Sequence, residues 1–449
     1  MRQARADIVA ASVSQPDAYL SALLEWLRLL LAWRIDLTRA TYGAVADDAY
    51  RGLYISDDEA EILSADWPEV PPELRLRRAG LHAERQAIER DAVQGPLPAL
   101  YRLAGLFDLT SFERDVLLLA LAPEVDPRYE RLYAYIQDDV TRKRPTVALA
   151  LQLLCEDPAD RRARAAFAPD APLLRYQLIH LVDDGLRQPP LLSRAIKLDD
   201  RIVGELLDTT ALDPLIDSAA VLVRPTRGFG QLVLPPDLVT RMQRVFVEQS
   251  SGLVLALQGG YGSGRRAIAA ALCHEYGIPM LDVDLDRLAE SDADPQDATL
   301  RVIREATLRG AAIFWRGVDR LLNDDGQQVW RPALLGALDQ FSGRSFLPIE
   351  QPWESRGALR RAHFLRIELP QLSYSNREQI WRQRLGSDTL DDDALQALAS
   401  TFRLSGGQIR DAPPMARAPA RWHNWGRPPT PPPLCGAFPG PVRGGANSP

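Results

Sequence analysis

Cysteine is scarce in this sequence. Only Cys155, Cys273 and Cys435 occur among 449 residues, far apart and without CxxC spacing. That excludes a disulfide framework and a conventional zinc site, and a reducing cytoplasm is the expected setting. Positive charge is not in surplus either: the formal net charge is −7, which disfavours non-specific binding to nucleic acid or anionic membranes. Long apolar runs are missing. The most apolar stretch, LSALLEWLRLLLAW from Leu20 to Trp33, contains Glu25 and Arg28 and falls short of the roughly 20 residues a bilayer span needs. It reads as a helix that buries one face. The N-terminus lacks an apolar run ending in small residues, so neither a signal peptide nor a membrane partner is expected.

What is present suits globular cores. With 46% hydrophobic and 25% charged residues over this length, two or three domains of about 100–200 residues are expected. We divide the chain into a helical N-terminal region, 1–95, a winged-helix-like domain and linker, 96–225, a nucleotide-binding module, 226–412, and a Pro-rich disordered tail, 413–449. The first region is broken by three prolines in DWPEVPPELRLRR. In LYRLAGLFDLTSFERDVLLLALAPEVDPRYERLYAYI a turn at Gly105 is expected to separate two apolar helices. Thr110 and Glu113 fit a capping box, each side chain capping a backbone N–H near the other. Val116, Leu117, Leu119 and Ala120 then supply a buried face. A third helix is expected in RPTVALALQLLCEDP, with Pro145 at its start. Three short helices with tight turns read as a helix-turn-helix or winged-helix unit, which can read DNA through its third helix. A packing or protein-interaction domain is the plainer alternative, because the basic run before that helix is only Arg142, Lys143 and Arg144. Between 171 and 225 short mixed segments read as strands and small helices, a wing and a linker.

The most specific signal follows. LVLALQ is a continuous apolar run, as in a buried parallel strand. GGYGSG is a glycine turn, RRAIAAALCHEYG a helix with a glycine stop, and IPMLDVDL a second buried strand. Strand, glycine loop, helix, strand is the first βαβ unit of a P-loop fold. Gly259 and Gly264 hold the two glycine positions of G-x-x-x-x-G-K-[ST], where backbone N–H groups must close on phosphate oxygens without Cβ atoms in the way. The expected fold is α/β, a P-loop parallel sheet with helices on both faces behind a mainly helical region.

The whole run resembles AAA+ ATPases, and downstream segments fall in the order of that family. DADPQDATLRVIREATLRG is a helix, and AAIFWRGVDRLL stands at the acidic Walker B strand. GRSFLPIEQPW is the next strand, where a polar sensor would lie. RAHFLRIELPQLSYSNREQIWRQRL leads into a small helical lid, and LSGGQIRDA resembles the start of the sensor-2 helix, with Arg410 at the sensor arginine.

The catalytic positions depart from that pattern. Arg265 replaces the P-loop lysine, a wide planar fork in place of a slim point charge. Arg266 stands at the Ser/Thr position and offers no hydroxyl to Mg²⁺. Arg316 stands where the metal-holding Asp should be, and Gly317 where the water-polarising Glu should be. A register shift does not rescue the motif, because no Asp or Glu lies between Ala311 and Val318. Metal-assisted charge neutralisation and positioned water are what phosphoryl transfer depends on. Each lost group is worth on the order of 10² to 10³ in rate, so no catalytic or metal residue is predicted. Gly259, Gly260, Gly262, Ser263, Gly264, Arg265, Arg266, Arg316 and Arg410 are the predicted nucleotide-binding residues. ATP or ADP is the candidate ligand and Mg²⁺ is disfavoured. Arg265, Arg266 and Arg316 are expected to converge as a fixed cation in its place; an empty, purely structural site is the alternative. Arg360 and Arg361 are candidate arginine fingers. Cys273 and His274 fit core packing better than chemistry.

FERDVLLLALAPEVDPRYERLYAYIQDDVTRKRPTVALALQLL, APLLR and the altered glycine loop ahead of LSGGQIRDA resemble a bacterial family of tandem AAA+ ATPases. Such proteins carry an N-terminal winged-helix-like region, a degenerate first AAA+ module and an intact second one, and some are encoded near extracellular contractile injection systems. The resemblance covers residues 95 to 412 and implies a homo-oligomeric ring that remodels a protein substrate. Beyond Ala412 the text changes: eleven of the 37 residues from Pro413 to Pro449 are Pro, and none is Asp or Glu. No packed core is expected there. The break falls inside a helix motif and reads as a frameshift near codon 412, with a Pro-rich interaction tail or a linker as alternatives. Three functions are therefore open. The chain is a degenerate module for assembly or nucleotide sensing in an ATP-driven machine, a non-enzymatic scaffold, or a nucleic-acid-binding regulator.

Overall fold

The computed structural model describes residues 16–43, 57–65, 69–156, 160–183, 189–207, 209, 211–249, 251–291, 293–323, 329–385, 392–409 and 412. The chain divides into two compact units, Met1–Asp217 with Leu300–Gly310, and Ser218–Thr299 with Ala311–Pro449. Arg410 and residues 413–449 lie outside the described residues.

The first unit is mainly helical. Its helices are α1 (Pro16–Tyr42), α2 (Asp57–Ser64), α3 (Pro72–Ala92), α4 (Ala99–Leu106), α5 (Ser111–Val125), α6 (Arg128–Ile136), α7 (Val147–Leu154), α8 (Arg161–Ala165), α9 (Pro172–Arg175) and α10 (Asp200–Leu206). Along α1, Leu23, Leu27, Leu30 and Leu31 recur at helical spacing and are buried, the stripe of a helix that faces a core. Trp26 and Trp33 are buried beside them, and each indole N–H donates 2.9 Å to a carbonyl of α3, Leu81 and Leu74. Those bonds satisfy the polar end of a large apolar side chain. The capping box at Thr110 and Glu113 is present and starts α5; such caps contribute about 1 kcal/mol. Two local expectations are corrected. Gly105 lies inside α4, and the turn falls at Asp108 with φ +53°, a conformation a short polar residue tolerates. Pro145 does not open α7; the Thr146 side chain caps it through the N–H of Leu149. Strands β1 (Ile179–Val182) and β2 (Ala195–Leu198) pair antiparallel where a wing was expected.

The second unit is built on a six-stranded sheet of order β3-β5-β6-β7-β4-β8. The strands are β3 (Ala220–Val223), β4 (Leu253–Gln258), β5 (Met280–Asp284), β6 (Ala312–Arg316), β7 (Arg344–Ile349) and β8 (His363–Glu368). All pairs are parallel except the edge pair β3–β5. In β4 the first five residues are buried, which is why it reads as an unbroken apolar run. Pro348 in β7 is tolerated because β6 pairs only with Ser345 and Phe346, leaving no ladder bond on that side for the missing N–H. Helices α11 (Pro236–Glu248), α12 (Arg265–Glu275), α13 (Leu285–Glu290), α14 (Pro295–Arg309), α15 (Val318–Asn323) and α16 (Trp330–Gln340) connect or flank the strands. The last ten residues of α14 belong to the first unit. After β8, α17 (Tyr374–Leu385) and α18 (Asp392–Thr401) carry a small separate core around Trp381, Leu395, Leu398, Ala399 and Ile409. The first unit thus holds a wing-like hairpin, and the second a parallel sheet with the glycine loop after a central strand.

Candidate functional site

In an open parallel sheet, ligands sit beyond the carboxyl ends of the strands. Residues that follow β4, β6 and β8 line a cavity of about 1560 Å³, together with residues of α17 and of the segment before Ile409. Gly259, Gly260, Gly262, Ser263, Gly264, Arg265, Arg266 and Arg316 all line it. Arg410 lies outside the described residues.

The glycine loop turns straight into α12. Gly264 is its N-cap with φ +91°, and no side chain caps the helix. A side chain would strain that conformation, and the open first-turn N–H groups form an anion site. The segment from Ser405 to Ile409 lies on the loop. Gly407 N–H donates to the Gly262 carbonyl at 2.8 Å, and a Cβ on Gly407 would stand only 2.7 Å from Gly262 Cα. Glycine there follows from that close approach.

Arg265, Arg266 and Arg316, expected to converge as a fixed cation, line one cavity. Each has carboxylate partners, because a guanidinium held among strand ends finds nearby acids more readily than water. Arg265 Nη2 bonds Glu350 at 3.0 Å, and its Nη1 lies 3.7 Å from Asp319. Arg266 Nε bonds Asp282 at 2.6 Å. Arg316 approaches Asp282 at 3.3 Å and its cross-strand neighbour Asp284 at 3.4 Å. Two buried donors of the cavity lining stay unused among the described residues: Ser263 Oγ and Arg265 Nη1 make no hydrogen bond. Asp319 accepts the Glu350 N–H through both oxygens, at 2.9 and 3.0 Å, while burial pushes its carboxyl up. Mg²⁺ would have to compete with these arginines for the same acids. It takes oxygen ligands in a strict octahedron, and the acids nearest the loop are held by arginines. Among the described residues no group of three or more His, Cys, Asp or Glu could hold a metal ion.

Sequence reasoning missed Glu350, Asp282 and Asp284. Two acids in the buried strand MLDVD were a usable signal, since buried charges are paired. Nothing in the sequence placed Glu350 against Arg265. Gly317 has φ +83°, and a Cβ there would meet the Asp286 carboxylate at 3.2 Å. A glutamate at this position would therefore be strained and repelled.

Arg360 and Arg361 are exposed just before β8. One oxygen of Asp339 accepts the N–H groups of Arg360 and Arg361 at 2.6 Å and of Ala362 at 3.2 Å. Burial opposes ionisation of Asp339, but those three donors hold its carboxyl below the usual range. Cys273 is buried in the core of the second unit, where burial pushes its thiol up to about 12; an inert packing residue is the consequence. His274 lies 3.0 Å from the Pro225 carbonyl.

In the first unit, α7 has no basic side chain, and Val147, Leu149, Ala150, Leu151 and Leu153 are buried. Its exposed polar residue, Gln152, bonds Arg34 of α1 at 3.0 Å. Arg142 pairs with Asp139 at 3.2 Å, and Lys143 lies 4.0 Å from Glu130. This helix is packed rather than presented.

Residues 16–218 match the model of a winged helix domain, variant. Residues 373–434 match that of the contractile injection system ATPase helical domain, a match that continues past Ala412. The chain is thus similar to ATPase-related proteins through its C-terminal part and to winged-helix proteins through its N-terminal part. No curated protein matches. A solved structure titled "Structural Basis for Katanin Self-Assembly" is 16% identical, with a TM-score of 0.37 over 47% of this chain and 79% of that one, too remote to carry an argument. Among the described residues no helix is long and apolar enough to cross a membrane.

Proposed function

We propose that this chain is a AAA+-type nucleotide-binding subunit that does not hydrolyse ATP and acts in ring assembly or nucleotide sensing within an ATP-driven remodelling machine. One observation carries the reading. A glycine loop ends on an uncapped helix N-terminus inside a large cavity, while the positions for metal and water hold Arg266, Arg316 and Gly317. The loop N–H groups and Nη1 of Arg265, which makes no hydrogen bond, would take phosphate oxygens without a metal. The contractile-injection-system match supports the choice of machine.

Affinity for ATP and ADP, measured by calorimetry on the full chain, is expected to be equal in Mg²⁺ and in EDTA, with turnover at background. Strict Mg²⁺ dependence would sink the reading. Arg360 and Arg361 support a second role. Their backbone is pinned by Asp339, as suits side chains presented to a neighbouring subunit's phosphates. The R360A/R361A variant should then lower ATP turnover of a neighbouring intact module while leaving nucleotide affinity of this chain alone.

A further inference from the structure

The cavity is larger and more cationic than a nucleoside diphosphate needs. Small-molecule sites run to about 300–1,000 Å³, against about 1560 Å³ here. Eight arginines line it, and Asp319 is the one acidic lining residue. Four of the arginines are committed: Arg265, Arg266 and Arg316 to carboxylates, and Arg377 to the carbonyls of Ala399 and Leu372. The other four, Arg224, Arg227, Arg384 and Arg403, are exposed. They have no ion pair or hydrogen-bond partner among the described residues. Two come from the segment before α11 and two from the helical lid, so unpaired cations stand on different walls of one cavity.

Like charges gathered in one concave site repel one another and raise the local potential for anions. A ligand that answers this field carries more anionic charge than the glycine loop itself can take. We propose that the cavity binds a nucleotide phosphorylated at two places. Its 5′ phosphates would lie on the Gly259–Gly264 loop, and a second phosphate, on the sugar, would be held by Arg224 and Arg227 with Arg384 and Arg403. Arginine suits this task because its planar fork bonds phosphate oxygens in pairs. This inference rests on the nucleotide-binding reading above.

The test compares ADP with adenosine 3′-phosphate 5′-diphosphate on the full chain by calorimetry. The second phosphate should tighten binding by ~10- to 100-fold, the worth of one or two charge-assisted hydrogen bonds, and the advantage should shrink with added salt. In R224Q/R227Q and in R384Q/R403Q the ratio of the two affinities should fall toward one. Equal affinity of the wild-type chain for both ligands would overturn the inference and leave the nucleotide reading standing. Absence of binding by either would overturn both. Equally tight binding of inorganic tripolyphosphate would show a polyanion trap and overturn the two-ended assignment. Circular dichroism of the variants separates lost recognition from lost folding.

Discussion

Both units gather arginines around carboxylates, and they do so to different ends. In the first unit the cluster is sealed. Arg304 is fully buried and bonds Asp213 at 2.6 Å, Asp199 at 3.1 Å and the Gln177 carbonyl at 2.5 Å. Arg301 reaches Asp213 at 3.0 Å, Arg201 pairs with Glu305 and Glu205, and His180 lies 2.8 Å from Asp199. In the second unit Arg266 and Arg316 are half exposed beside a nearly buried Asp282, and four further arginines of the cavity lining have no partner among the described residues. The same side chains therefore cement one unit, and in the other, under the reading proposed here, leave a cavity open to an anion. A buried ion pair must be complete, because an uncompensated charge costs several kcal/mol away from water. At a cavity wall water covers the deficit until a ligand arrives.

The largest test of this contrast is Arg304→Met. It removes the fully buried one of the two arginines that Asp199 and Asp213 share, leaving only Arg301, and should cost about 3–5 kcal/mol of unfolding free energy, read by urea denaturation. A loss below about 1 kcal/mol would mean that the sealed cluster is no more cohesive than a surface pair. Next comes Gly407→Val. Its side chain would collide with the Gly262 backbone, so the lid segment must move off the loop at a cost of about 1–3 kcal/mol. Faster proteolysis within 374–409 and altered ADP affinity are expected; an unchanged digest would show that the close approach is incidental.

Gly317→Glu should cost about 1–2 kcal/mol for a left-handed non-glycine residue and, under the proposed reading, restore no ATP turnover, because Arg316 and Arg266 remain at the positions a metal would need. Measurable hydrolysis by that variant would overturn the account of the altered motif. The smallest effect at neutral pH concerns Asp199. Burial works against its charge, but the His180 hydrogen bond and the Arg304 charge outweigh burial and hold its carboxyl well below the usual range. A depressed carboxyl contributes stability above its unfolded value, near 4, and that contribution is lost as pH falls below it. The stability difference between wild type and Asp199→Asn should be constant above about pH 5 and shrink below about pH 4. A difference that grows with acid would reverse the sign assigned here.

Part of this was legible in one dimension. The strand–loop–helix–strand order from Leu253 to Asp284, the capping box at Thr110 and the substitutions at Arg265, Arg266, Arg316 and Gly317 are local facts. Periodicity, glycine spacing and caps act over a few residues, so the text carries them. The turn near Gly105 was misplaced by three residues because glycine and aspartate both serve at a helix end, and only packing chose Asp108.

What the sequence by itself determined was the set of charges, the glycine loop and the arginines that flank it. What only the tertiary structure decided was which charges meet. Glu350 is 85 residues from Arg265, and Glu305 is 104 from Arg201. Segment 300–310 belongs with the first unit although it lies between strands of the second. Coulomb attraction depends on distance in space and on burial, and neither is written in the order of residues. That is why the sequence marks Arg265, Arg266 and Arg316 as cations but not their carboxylate partners, and why the four lining arginines without a partner among the described residues come to notice only in the cavity.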